Sequence, residues 1–170
     1  NIYCFAPTME NAQIESSKAF SRRFIENRIN PKFNPRFQIL TESAISLLTR
    51  LRSIKETFNT EIVIKKDGLC GGKGVYVEGD HFNLNTLTED SSFIFSLSNY
   101  LSIEGNLLIV EEKLEGLEFS LMTLTDGKGF IHLKPVLDYK RLENGDKGPN
   151  TGSMGAVLLR DSDMINLIDA

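Results

Sequence analysis

Tryptophan is absent from this chain, and cysteine and histidine occur only twice each. No apolar run is long enough to cross a membrane. Each shortage narrows the field. Cys4 and Cys70 lie far apart and share no metal-ligand spacing, which excludes a disulfide framework and fits a reducing, cytoplasmic setting. His81 and His132 have no third histidine or cysteine at a suggestive interval. Both therefore read as ordinary side chains, and no nucleophile–base arrangement can be built. Basic residues do not predominate: 19 Lys and Arg against 23 Asp and Glu leave a net charge of -4. That balance points away from nucleic acid and anionic membranes, while permitting a local basic pocket. The first residues lack the basic stretch and apolar core of a secretory signal. The chain starts at Asn1 rather than Met, so polypeptide upstream is expected.

What is present suits one domain. The 170 residues are 41% hydrophobic and 25% charged, with eleven Phe, an ordinary composition for a chain that buries a core. Ala12, Ala19, Phe20 and Phe24 approximate one face of a helix, and Asn27 to Pro35 reads as loop. Phe37 to Leu40 forms a short strand. Thr41 is expected to cap a helix carrying Ala44, Leu47, Leu48, Leu51 and Ile54 on one side. Glu61 to Lys66 and Val75 to Val77 read as strands around the turn Asp67 to Gly74, because four glycines in seven residues are too costly inside either element. A helix is expected from Thr88 to Leu101, with Phe93, Leu97 and Leu101 inward, then a strand from Leu107 to Val110 running into Glu111 and Glu112. Phe119 to Leu124 and Phe130 to Leu133 pair through the Asp126–Gly127 turn. Asp138 to Met154 is polar, glycine-rich and too long for idle linker; Ala156 to Leu159 is extended, and Asp163 to Ala170 starts a helix. The sum is an α+β fold with mainly antiparallel sheet and flanking helices.

Three segments can carry chemistry. Glycines let successive N–H groups point into one concavity, so the turn beside Lys65 and Lys73 suits a polyphosphate. It is strand–turn–strand and not a P-loop, and a tight hairpin with solvent-facing lysines is the plainer alternative. Glu111, Glu112, Glu115 and Glu118 sit at a strand end, where carboxylates hold ribose hydroxyls or a metal, or merely pair with lysines. Asp138, Lys140, Arg141, Asp146, Lys147, Asn150 and Thr151, spaced by Gly145, Gly148, Gly152 and Gly155, suit a loop gripping an anion, or a solvated connection.

These segments resemble, in chain order, the phosphoribosylamine–glycine ligase family of ATP-grasp enzymes. The resemblance is carried by Pro7, Glu15, Ser17-Lys18 and Phe20; by Ile64 to Leu69 with Gly72 to Val75; by Val110 to Leu114 with Gly116 and Glu118 to Ser120; and by Asp138, Lys140-Arg141, Gly145-Asp146, Gly148 to Gly152 and Met154-Gly155. It implies that Lys18 and Lys65 meet ATP phosphates under a flap of Gly71, Gly72, Lys73 and Gly74. Glu111, Glu112, Lys113 and Leu114 would form the adenine hinge, and Glu118 would hold the ribose. Asp138, Lys140, Arg141, Asn150, Thr151, Gly152 and Met154 would face glycine and 5-phosphoribosylamine. Lys65, Lys73 and Arg141 would be the catalytic cations. The implied reaction uses ATP and Mg2+, with metal ligands downstream and none in this chain, so amino- and carboxy-terminal portions of the same polypeptide are expected to be missing. The implied layout is a partial ATP-grasp domain over 1–170: a helical opening segment to about 60, a glycine-flap subdomain over 61–104, and the start of a second subdomain over 105–170. Departures are Lys66 for Ala, Cys70-Gly71 for Ala-Ala, Lys113 for an aromatic, Leu137 and Tyr139 for Gln and His, and Ser153 for Gly. Another ATP-grasp carboxylate–amine ligase and a noncatalytic ATP-binding remnant or interaction module are the alternatives.

Overall fold

A computed structural model describes residues 6–71, 73–145 and 147–160, with only the backbone of 147, 149 and 150. Cys4, Gly72, Asp146 and the expected helix over 163–170 lie outside the described residues. The chain divides into two units, Asn1–Leu114 and Glu115–Ala170.

In the first unit the opening helix is two: α1 (Gln13–Ser16) and α2 (Lys18–Phe24). Ser17 separates them because its backbone is extended, at φ -130° and ψ 115°, and its Oγ accepts from Phe20 N–H at 3.0 Å as an N-cap. Of the expected apolar face only Ala19 is buried. The expected loop after it is more ordered, with a π turn at Ile25–Ile29 and a 3-10 turn at Pro31–Phe33. Asn30 starts the second of these by accepting from Lys32 N–H, with Pro31 at the first position, where its missing N–H costs nothing.

Helix α3 (Leu47–Phe58) buries Leu47, Leu48, Leu51, Ile54 and Phe58 along one stripe. Its cap is Ser46 and not Thr41: Ser46 Oγ accepts from Thr49 N–H at 3.2 Å, so the helix starts after Ala44 and Ile45. Ser46→Ala is expected to lower stability by about 1 kcal/mol, read as a shifted urea midpoint at constant slope. An unmoved midpoint would show that the cap contributes nothing. Helix α4 (Ser92–Leu101) starts later than expected, because Thr88 and Ser91 close a turn ahead of it. Its buried side chains are Ile94, Leu97 and Leu101, while Phe93 stacks on Phe82 at 5.0 Å and meets Tyr76 edge-on at 5.3 Å.

Strands β1 (Phe37–Leu40), β2 (Ile62–Lys66), β3 (Val75–Val77) and β4 (Leu108–Glu112) form one antiparallel sheet in the order β1-β4-β2-β3. The acidic pair expected at the end of β4 is inside it, because Glu111 is paired with Phe37 and Val63, and Glu112 with Ile62. Alternation gives the sheet two faces. Ile62, Ile64, Leu108 and Val110 join α3 and α4 in the main core. Val63, Lys65, Ile109 and Glu111 take the other face, where Arg22 of α2 meets Glu111.

In the second unit β5 (Thr123–Thr125) and β6 (Phe130–His132) pair antiparallel across the Asp126–Gly127 turn. Asp126 Oδ1 accepts from the N–H groups of Lys128 at 2.9 Å and Gly129 at 2.8 Å, the hydrogen bonds that hold its carboxyl below the ordinary range. The strand expected from Phe119 is shorter, with Ser120 making only a bridge to Val136. The segment Asp138 to Met154, expected as a loop, is a ribbon of β7 (Val136–Glu143) and β8 (Lys147–Leu158). A turn at Asn144–Gly145, with Gly145 at φ 74°, allows the reversal. Ser153 needs no glycine conformation: among the described residues Asn59 is the sole non-glycine at positive φ.

Candidate functional site

The glycine turn hangs from β2 and β3, closed at its base by Lys66 N–H donating to Gly74 O at 2.8 Å. Gly68 at φ 81° and Gly71 at φ 57° hold left-handed conformations that side chains resist. Gly74 has a steric reason as well, since a Cβ there would lie 2.7 Å from Cys70 Cβ. Cys70 is a free thiol directed at the carbonyls of Lys66 and Asp67. Lys73 lies at the tip, its N–H donating to Cys70 O at 3.1 Å.

Two of the expected phosphate lysines lie at the root of this turn, each with an acceptor in place. Lys65 Nζ donates to Glu111 Oε2 at 2.6 Å. Lys18 Nζ donates to Lys66 O at 3.0 Å and Gly68 O at 2.8 Å. Arg22 completes the group by forking onto Glu111, Nε to Oε1 at 2.7 Å and Nη2 to Oε2 at 3.1 Å. Glu111 is 3% exposed. Burial pushes its carboxyl up, but the Arg22 hydrogen bonds and the Lys65 charge outweigh that and leave it below the ordinary glutamate range. Two cations on one carboxylate leave this face of the sheet net positive.

Sequence reasoning missed Arg22, because nothing local connects it with a carboxylate 89 residues away. It also missed that successive lysines diverge. Lys66 faces the helices, its Nζ 4.8 Å from the Tyr100 ring centre and 6.0 Å from that of Tyr76, a cation–π site on the side opposite Lys65.

The hinge residues separate in the same way. Glu112 pairs with Arg36, whose N–H and guanidinium hold its carboxyl below the ordinary range. Lys113 turns to Glu61 at 2.6 Å, which is how its charged stem leaves the strand. Leu114 is exposed. In the second unit Glu118, exposed, pairs with the half-buried Lys140 at 2.5 Å. The remaining polar residues of the ribbon mostly bond across it. Arg141 Nη1 donates to Gly148 O at 2.9 Å, Thr151 Oγ1 to Lys140 O at 2.9 Å, and Ser153 Oγ to Asp138 Oδ1 at 2.7 Å. Arg141 is in register with Asn150, and Gly152 and Met154 are exposed further along β8.

His81 Nδ1 accepts from Val77 N–H, and His132 bonds Thr123, both local structural roles. Among the described residues no three His, Cys, Asp or Glu side chains gather as a metal site, and no helix is long and apolar enough to cross a membrane. The geometry thus offers a glycine turn of open backbone beside two ammoniums and a buried, doubly paired carboxylate. Such a surface can hold a polyphosphate.

Residues 16–165 match the model of the phosphoribosylglycinamide synthetase, ATP-grasp (A) domain. A phosphoribosylamine–glycine ligase of Clostridium acetobutylicum is 36% identical over 153 residues, covering 90% of this chain and 34% of that relative. The trifunctional purine biosynthetic protein adenosine-3 of Gallus gallus is 35% identical over 159 residues, covering 91% of this chain and 14% of its own length. The crystal structure of phosphoribosylamine–glycine ligase from Thermotoga maritima superposes with a TM-score of 0.65 at 32% identity, covering 97% of this chain and 41% of that one. The chain therefore spans 34% or less of the length of these curated relatives. With 150 of its residues inside one family model and an α+β, antiparallel fold to match, the chain belongs to the phosphoribosylglycinamide synthetase ATP-grasp domain family.

Proposed function

We propose that this chain is the ATP-holding part of a cytoplasmic enzyme that joins glycine to 5-phosphoribosylamine in purine synthesis. The observation that carries the reading is the pairing of the family match over residues 16–165 with two lysines at the root of a glycine turn. In the proposed reaction the glycine carboxylate attacks the γ-phosphorus of ATP and ADP leaves. The amine of phosphoribosylamine then attacks the acyl carbon of glycyl phosphate, and inorganic phosphate leaves.

This chain's contribution is positioning and charge. Lys18 and Lys65 bind phosphate oxygens, and the backbone N–H groups of the turn and Lys73 cover them. The adenine edge falls to the carbonyl of Lys113 and the backbone of Leu114, past the end of β4, because the N–H groups of Glu112 and Lys113 already donate to Arg36 O and Glu61 O. Glu118 takes the ribose hydroxyls. Asp138, Lys140, Arg141, Asn150, Thr151, Gly152 and Met154 are assigned to glycine and phosphoribosylamine. The described residues do not fit a magnesium site. Its ligands are assigned to the remaining polypeptide, and no step here runs through the metal.

Calorimetric titration with ATP, with and without magnesium, tests the reading. Saturable binding at one site is expected; a folded chain that takes up no ATP defeats it. In the complete polypeptide Arg141→Ala is expected to lower kcat/KM about tenfold or more while ATP affinity holds, because a charged donor to the acceptor substrate is lost. Unchanged turnover removes the ribbon from the substrate site.

A further inference from the structure

Residues 17, 18 and 19 grip residues 66, 67 and 68, and are gripped in return. Asp67 Oδ2 accepts from Ser17 Oγ at 2.9 Å, and Oδ1 accepts from Ala19 N–H at 3.1 Å. Lys18, between those two donors, sends its ammonium the opposite way, to the carbonyl oxygens of Lys66 at 3.0 Å and Gly68 at 2.8 Å, which flank Asp67. Asp67 is itself fixed at its backbone. Its N–H donates to Leu107 O at 3.0 Å, and its carbonyl accepts from Tyr100 Oη at 3.3 Å.

This crossed pair is more than a helix cap. Lys18 is the first residue of α2, where a cation opposes the helix dipole, so helix stability does not select an ammonium there. Both acceptors of that ammonium are neutral carbonyls, which a charged phosphate oxygen outcompetes. Asp67 by contrast bonds residues on either side of Lys18, and so fixes the backbone from which the lysine reaches.

We propose that Asp67 is a positioning residue: by holding residues 17 and 19 it aims the Lys18 ammonium at the root of the glycine turn, ready for a nucleotide phosphate. This rests on the ATP reading above. When phosphate arrives, the Lys18 head pivots from a carbonyl to the phosphate oxygen while Asp67 keeps its stem in place. Without Asp67 the stem regains its rotamers, and ordering them again weakens phosphate binding. Adenosine has no phosphate and is indifferent to the change.

The test titrates the 170-residue chain and its variants with ATP and with adenosine, each variant checked for a cooperative thermal transition. Lys18→Met and Asp67→Ala are each expected to weaken ATP binding about tenfold, and the double variant to bind no worse than the weaker single. Adenosine affinity stays within about twofold of the parent's, against the tenfold expected of a charged contact. Asp67→Asn, whose Oδ1 still accepts from Ala19, recovers most of the ATP affinity, a rescue that general loosening does not give. The proposal is overturned if folded Asp67→Ala binds ATP like the parent, if its loss adds in full to that of Lys18→Met, or if adenosine is weakened equally. Should Asp67→Ala not fold, Ser17→Ala carries the comparison, and parental ATP affinity in it overturns the proposal. A parent chain that binds no ATP is a different failure: it removes the nucleotide reading, and this role of Asp67 with it.

Discussion

Replacing Glu111 with alanine is expected to destabilise the first unit by about 3 to 5 kcal/mol, the range for removing one partner of a buried charge group. The carboxylate is 3% exposed and takes three hydrogen bonds from two cations, whose side chains are about a fifth exposed. Arg22 and Lys65 are then left facing each other with no anion between them. Glu111→Gln keeps the volume but not the charge, so it is expected to recover only part of the loss. The effect has a pH signature. The folded carboxyl lies below the ordinary glutamate value, so its contribution is complete above about pH 4.3, where the unfolded chain is also ionised. As pH falls through that value toward the lower folded one, the unfolded state takes the proton first and the contribution is lost. Urea unfolding at pH 7 and pH 3 measures both. The parent should lose more stability than Glu111→Gln across that interval, and equal losses would mean that the Arg22–Glu111–Lys65 group is not what stabilises the sheet.

Much of this first unit was legible in the sequence. Ile62-Val63-Ile64 and Val75-Tyr76-Val77 around four glycines admit little besides a hairpin, and Leu47, Leu48, Leu51 and Ile54 admit little besides a helix packed on one side. The break at Ser17 was not legible. It depends on Asp67, which bonds Ser17 and Ala19 from fifty and forty-eight positions away. The Arg22–Glu111 pair escaped for the same reason. In the second unit the failure has another cause. No described side chain of β7 is fully buried, so period-two alternation is weakly selected there, and its polar residues, with the glycines of β8, gave the ribbon the appearance of a loop. Family resemblance reached the family all the same, because it rests on the order of residues and not on their periodicity.

Lys65→Ala should separate the fold from the site. Lys65 sits at a register position opposite Val75 and Ile109, so its backbone keeps both ladders whatever the side chain. Glu111 keeps the Arg22 fork, and the stability cost is expected to stay near about 1 kcal/mol. The effect on ATP is expected to be far larger, a loss of affinity of about 10- to 100-fold, because a charge-assisted hydrogen bond to phosphate is removed. Calorimetry on the folded variant reads the affinity, and urea unfolding reads the stability. Parental ATP affinity in a folded variant sinks the assignment of Lys65 to phosphate. Lys65→Arg sharpens the comparison. It keeps the charge and can still pair with Glu111, but its planar fork does not present a compact point charge to phosphate as an ammonium does. If arginine restores stability and not ATP affinity, the ammonium itself is what the nucleotide needs. Glu111 then serves as the anion that holds Lys65 in place until phosphate shares it.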